Sequence, residues 1–191
     1  MTITHRYTNA GYSLLAAILE IASGEQWQEF IDSRLLSGSL NNIYFYTERD
    51  DIKDSLAYGY ALRQGQDSVS EGRETFEWGT IGAAGVYARA KDLVYLVDEL
   101  LRQSPVPEQQ REKMLDPTEE ESYGWHVDTD SMGRNRVHKG GDSLEYTSQI
   151  LYYPDSDITI TWMVNNNRNR WRTILRDGLV AWVYDERIPE H

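Results

Sequence analysis

Leu144-Glu145-Tyr146-Thr147-Ser148-Gln149-Ile150-Leu151-Tyr152-Tyr153 and Ile158-Thr159-Ile160-Thr161-Trp162-Met163-Val164-Asn165 flank the tetrapeptide Pro154-Asp155-Ser156-Asp157. Both flanks are rich in β-branched and aromatic residues, and the tetrapeptide is made of turn formers, so the stretch predicts a β-hairpin. In the second flank Ile158, Ile160, Trp162 and Val164 alternate with Thr159, Thr161 and Met163, which gives one strongly apolar face and one mixed face. A helix is predicted next, over 169–184, because Trp171, Ile174, Leu175, Leu179, Trp182 and Val183 recur at helical spacing. That stripe is expected to cover the apolar face of the hairpin. A further strand over 123–127 makes a three-stranded meander, a thin sheet that additional strands would complete.

Upstream the periodicity is helical. Leu14, Leu15, Ile18, Ile21 and Ala22 predict a helix over 10–23, with Asn9 as its N-cap and Gly24 as its stop. Trp27, Phe30, Ile31 and Leu35 share one face of a second helix, ended by Ser37-Gly38-Ser39. Residues 43–46 and 58–62 read as short strands, 64–73 as a polar surface loop, and the glycine-rich 79–85 as a place of close backbone packing. Leu93, Val94, Leu96, Val97, Leu100 and Leu101 predict a helix over 91–102, broken by Pro105-Val106-Pro107, and a short helix over 108–115 stops before Pro117. The order is helices, antiparallel strands, helix, which is an α+β arrangement. One domain over 1–191 is expected, with a mainly helical part over 1–120, and antiparallel strands and a C-terminal helix over 121–191.

Composition narrows the function. A hydrophobic share of 40% is enough for a core. A net charge of -12 argues against nucleic acid and against an anionic membrane surface. With no cysteine, disulfides, thiolate catalysis and cysteine-zinc sites are excluded. No stretch approaches the about 18 apolar residues of a membrane span, and no signal peptide is visible, which leaves the compartment open. His5, His126, His138 and His191 form no metal-ligand spacing, and no glycine-rich phosphate loop is present, so no cofactor is expected.

Two short motifs carry the chemistry. Tyr7-Thr8-Asn9 opens the first helix, in the string Tyr7-Thr8-Asn9-Ala10-Gly11-Tyr12-Ser13-Leu14-Leu15, and His138-Lys139-Gly140-Gly141 heads a β-hairpin after Tyr123-Gly124-Trp125. These blocks resemble the second and third active-site motifs of the penicillin-recognising serine hydrolases, above all the class C β-lactamase-like proteins, with their DD-peptidases and esterases. Ile21-Ala22-Ser23-Gly24, the segment 82–88 with Asp92-Leu93, and Asp155 to Asn165 are similar to further blocks of that family, in the same order. The resemblance implies a β-lactamase/transpeptidase-like fold and acyl transfer through an acyl-enzyme, with an amide, an ester or a β-lactam as substrate.

It also implies roles. Tyr7 takes the proton-transfer role and Asn9 binds a substrate amide. His138 and Lys139 present positive charge to a substrate carboxylate. The backbone N–H of Gly141 is the second oxyanion-hole donor, Gly140 belongs to the substrate-binding strand, and Tyr123 lines the cleft with Trp125. The departures are Ser37-Gly38-Ser39-Leu40 in place of Pro-Leu-Gly-Met, and Lys139 at a position usually small or hydroxylated. The largest is the absence of Ser-x-x-Lys, the motif that supplies the nucleophile. Lys53, Lys91, Lys113 and Lys139 are preceded three residues earlier by Asp50, Ala88, Gln110 and Arg136. The chain therefore reads as part of such a fold with the N-terminal part missing, inactive by itself. The alternative is a non-catalytic ligand-binding or interaction module, open to self-association or to pairing with a missing N-terminal segment.

Overall fold

Asn9–Ser23 forms the first helix, α1, of the computed structural model, which describes residues 7–36, 38–45, 55–63, 66–69, 81–102, 106–116, 121–143, 145–166 and 169–185. The helix ends as expected, with Gly24 left-handed at φ 75° and its N–H donating to Glu20 O at 2.9 Å. Its start differs by one residue. Thr8, in an extended conformation, is the N-cap and accepts from Ala10 N at 3.3 Å, while Asn9 is already helical. The chain divides into two compact units, Met1–Leu56 with Arg73–Ala88, and Ala57–Gly72 with Arg89–His191.

In the first unit, α1 is followed by α2 (Trp27–Arg34), by a 3-10 turn (Gly38–Leu40) and by β1 (Tyr44–Phe45), which pairs antiparallel with β4 (Val86–Tyr87). Leu36, Leu40 and Ile43 are buried, and the Trp27 and Phe45 rings meet edge to face at 4.8 Å. The close packing expected of the glycine segment is present at Gly82. It has φ 80°, and a Cβ there would lie 2.8 Å from Ala16 Cβ and 2.9 Å from the Tyr12 carbonyl oxygen. Ser37, Tyr46 and Gly79, like Pro105 and Pro117 further on, lie outside the described residues.

The second unit holds the main sheet. Strands β5 (Glu121–Ser122), β6 (Trp125–Thr129), β7 (Asn135–Asp142), β8 (Thr147–Tyr153) and β9 (Ile158–Val164) form an antiparallel meander in that order. The sheet is thus five strands, not three. Apolar periodicity does not mark β7, which the resemblance alone indicated at His138 to Gly141, because its one large apolar residue is Val137; its charged residues are held by ion pairs, Arg136 to Asp128 at 2.7 Å among them. Tyr123 (φ 47°) and Gly124 (φ 92°) make the tight turn between β5 and β6, so the strand expected from 123 begins at Trp125. A two-stranded ribbon, β2 (Tyr60–Arg63) and β3 (Gln66–Val69), occupies part of the stretch expected to be loop. Gln-Asp-Ser-Val has no apolar alternation to mark a strand, and pairing with β2 makes it one.

Both faces of the sheet are covered. On one, Leu151, Tyr153, Ile160 and Trp162 form a buried cluster with Val180 of α5 (Asn169–Val183), joined by Leu175, Leu179 and Val183. Trp182 breaks the expected stripe: it is 74% exposed, and Val180 and Ala181 are buried instead. The side chain of Trp171 lies outside the described residues. On the other face sits α3 (Ala90–Val97), whose Ala90 carbonyl accepts from Thr161 Oγ1 at 2.7 Å. The helix expected over 91–102 changes hydrogen bonding partway, and Asp98–Arg102 is a π-helical turn. Arg102 bonds Asp98 and Asp157 at 2.7 Å each, tying that turn to the β8–β9 hairpin. A short helix, α4 (Glu108–Met114), follows.

The segment before β2 is pinned to the sheet's end. Tyr146 Oη donates to Ala57 O at 2.8 Å, Asn165 Nδ2 to Tyr58 O at 2.8 Å, and Tyr60 N to Asn165 O at 2.9 Å. A Cβ on Gly59 would lie 2.4 Å from Glu145 Cβ, and neither atom can move without its backbone. Gly59→Ala is therefore expected to push residues 57–60 off the 143–146 turn, at a cost of about 2 kcal/mol. Hydrogen exchange will read this as faster exchange at Tyr60 with β8 unchanged; protection equal to the parent would disprove the contact.

Candidate functional site

The first unit brings the second-motif pair together. Tyr7 Oη donates to Asn9 Oδ1 at 3.0 Å, and the Tyr7 ring lies 5.8 Å from that of Tyr12. The hydroxyl is thus engaged on the neighbouring amide. Asn9 uses its side-chain oxygen on Tyr7, leaving its amide nitrogen for another acceptor.

The second unit carries the other six sequence-derived residues, of which Trp125 is buried at the start of β6. Strand β7 puts His138, Lys139, Gly140 and Gly141 in one extended run, opposite Leu151, Ile150, Gln149 and Ser148 of β8. Successive side chains alternate, so His138 and Gly140 share the α5 face while Lys139 faces the opposite side. The expected positive pair is thus split between two faces. Tyr123 stands in the β5–β6 turn and is exposed. Gly140 is a glycine for a packing reason: a Cβ there would lie 2.8 Å from both Arg172 Nη2 and Gln149 Oε1. Arg172, from α5, also pairs with Asp142 at 2.6 Å, which ties the helix to the end of the strand.

Around His138 lies a polar cluster that sequence reasoning did not assemble. Register places His126 opposite His138 and Asp128 opposite Arg136. Arg136 grips Asp128 with two hydrogen bonds, at 2.9 and 2.7 Å. Burial raises the Asp128 carboxyl, but Arg136 outweighs it, and the net position is below the ordinary carboxylate range. Burial pushes His138 below the ordinary imidazole range; Asp128 opposes this, while Arg136 and His126 add to it. Tyr153, beside Arg136, is pushed up to about 12 by burial. The signal that would have found this cluster is the hairpin itself. Once β6 and β7 are aligned through the 131–133 turn, the alternation puts His126, Asp128, Arg136 and His138 on one face.

The two serines nearest the third motif have other work. Ser143 Oγ accepts from Glu145 N at 3.4 Å and Tyr146 N at 3.2 Å, which is turn capping. Ser148 Oγ donates to Gly141 O at 3.4 Å. Among the described residues no group of three or more His, Cys, Asp or Glu is placed to hold a metal ion, and no helix is long and apolar enough to cross a membrane.

Known proteins match this arrangement. The profile of the Beta-lactamase family matches residues 3–181. Penicillin-binding protein 4* of Bacillus subtilis (strain 168) is 26% identical over 181 residues, covering 85% of this chain and 40% of that protein. The octameric penicillin-binding protein homologue from Pyrococcus abyssi superposes with a TM-score of 0.79 at 25% identity, over 96% of this chain and 43% of that one. A class C β-lactamase from Rhodobacter sphaeroides gives a TM-score of 0.76 at 17% identity, over 93% of this chain and 60% of that one. The chain thus spans between 40% and 60% of the length of these relatives. With residues 3–181 matched and the β-lactamase/transpeptidase-like fold in place, the chain belongs to the Beta-lactamase family.

Proposed function

We propose that this chain is a β-lactamase-related serine hydrolase polypeptide that supplies the second and third motifs of an acyl-transfer site and forms no acyl-enzyme by itself. One observation carries the reading. The motif residues are built into ordered local geometry, Tyr7 on Asn9 and His138 to Gly141 along β7, whereas none of the four lysines stands three residues after a serine. Without that pair, the chain lacks the lysine that in this motif converts a serine hydroxyl into a nucleophile at neutral pH. Tyr7 and Asn9 then serve proton transfer and amide recognition, His138 and Gly141 the third-motif, oxyanion side, and Lys139, Gly140 and Tyr123 acyl-substrate binding. The substrate class is that of the family: an amide, an ester or a β-lactam.

The intact mass of the folded chain, before and after exposure to a fluorophosphonate and to a penicillin, tests this. No adduct is expected with either, in a sample whose circular dichroism shows both helix and strand. A single stoichiometric adduct would overturn the reading, and peptide mapping would name the serine.

Self-association is a second reading, favoured by α1. Leu14, Leu15, Ile18 and Ile21 are exposed along one stretch of helix whose one charged residue is Glu20. The Pyrococcus abyssi homologue is itself described as octameric. Sedimentation over a hundredfold concentration range is expected to show reversible association that Ile18→Glu abolishes; a monomer throughout would rule it out.

A further inference from the structure

The polar cluster on the α5 face of β7 specifies one protonation state. Asp128 Oδ2 lies 3.3 Å from His138 Nε2. Gln149, 6% exposed, brings its side-chain nitrogen to 3.5 Å from His138 Nδ1 and 3.4 Å from Ile150 O. A carboxylate accepts, so Nε2 must carry the hydrogen. An amide nitrogen donates, so Nδ1 must offer its lone pair. The neutral Nε2–H tautomer meets both demands. An imidazolium does not, because its Nδ1–H would face the Gln149 donor. The bond from Gln149 to Ile150 O fixes which end of the amide points at the ring.

The surrounding charges are mixed: Arg136 and His126 favour the neutral ring, and Asp128 favours the charged one. Strand β6 contributes Asp128 and His126, and His126 stacks on His138 at 5.1 Å and 25°. β7 itself adds Arg136 and Asp142, Tyr153 comes from β8, and α5 brings Arg172 to Gly140. The negative charge nearest the ring, Asp128, is already held by Arg136.

We propose that Asp128 and Gln149 are positioning residues for His138, Asp128 fixing the imidazole proton on Nε2 and Gln149 keeping Nδ1 bare against the pull of that carboxylate, and that protonating His138 turns the Gln149 amide over beside Gly140. The third motif then presents no imidazolium at neutral pH, and Gln149 couples acidification to the glycine pair, because its Oε1 is the atom a Cβ on Gly140 would meet at 2.8 Å. This rests on the proposed function only in taking the end of β7 as the place where an acyl compound binds.

Long-range proton–nitrogen NMR of the full chain with ¹⁵N-labelled histidine tests it without ligand or turnover, so its outcome is independent of the mass experiment. His138 is assigned by its loss in His138→Gln. At pH 7, Nε2 is expected in the protonated range and Nδ1 in the bare-nitrogen range. Gln149→Glu replaces the donor with an acceptor and should raise the proton affinity of His138 by about tenfold or more. Gln149→Leu, which keeps the burial, should keep the Nε2–H tautomer through Asp128 but raise the midpoint, because Nδ1 no longer faces a donor. A cationic ring or an Nδ1–H tautomer at pH 7 would overturn the proposal. So would a Gln149→Leu chain whose midpoint matches the parent, since that is the behaviour of a purely structural glutamine.

Discussion

Leu151→Ala is expected to remove about 3 kcal/mol of stability. Leu151 lies on β8, next to the last strand of the meander, is 1% exposed, and stands opposite His138 on one side and Ile160 on the other. Its side chain belongs to the cluster that α5 covers, with Tyr153, Ile160, Trp162 and Val180 around it. Truncation removes three carbons from a face hemmed in by a sheet on one side and a helix on the other. Neither can collapse into the gap without shifting register, so the cavity cost adds to the lost transfer energy. A loss of that size lowers the folded-to-unfolded ratio roughly a hundredfold, against a net stability of about 5 to 15 kcal/mol for ordinary domains. Leu14→Ala is the control, because Leu14 is exposed on α1 and should change stability by less than about 0.5 kcal/mol. Urea midpoints of the two variants, at unchanged slope, decide the matter. A Leu151→Ala loss no larger than that of Leu14→Ala would mean that α5 does not seal this face.

The same strands show what was legible in the chain. β8, β9 and α5 could be read directly because their burial is one-sided or stripe-like, and period 2 and period 3.6 patterns are the record of such burial. β7 could not. Its residues are mostly polar, and they sit in a sheet through backbone pairing with β6 and β8, with Arg136 on Asp128 across the strands and Arg134 on Asp130 at the turn. The motif string His138 to Gly141 was visible without any knowledge of strands, as was the absence of Ser-x-x-Lys. Asp128, His126 and Gln149 were not, because their relation to His138 exists only once the register is set. Local chemistry also misled by single residues. Asn9 is a good N-cap, but Thr8 beside it is nearly as good and is the one in extended geometry. Trp182 fits the helical stripe by position, yet it is exposed, and Val180 and Ala181 are buried instead.

Asp92→Asn should cost about 2 kcal/mol and, unlike Leu151→Ala, should lose its effect in acid. Asp92 is 0% exposed at the third position of α3. Its Oδ2 accepts from the Arg89 backbone N–H at 3.1 Å and from Arg89 Nε at 2.7 Å, and its Oδ1 accepts from Arg89 Nη2 at 2.8 Å. Asparagine keeps the shape but has one oxygen, so its amide nitrogen must face at least one of these donors. The cost stays below that of breaking a fully buried pair because the Arg89 side chain is 53% exposed and can turn to water. The hydrogen bonds from Arg89, partly opposed by burial, hold the Asp92 carboxyl below its ordinary range. A depressed folded-state pKa means that the contribution is complete above the unfolded carboxylate value, about 3.9, and is lost as pH falls through the folded one. The gap between parent and Asp92→Asn should therefore be constant from about pH 8 to about pH 5 and should shrink below about pH 4. Urea titrations at those three pH values read it. If the gap persists undiminished in acid, the loss belongs to the shape of the cap, and the carboxylate charge is not what starts α3.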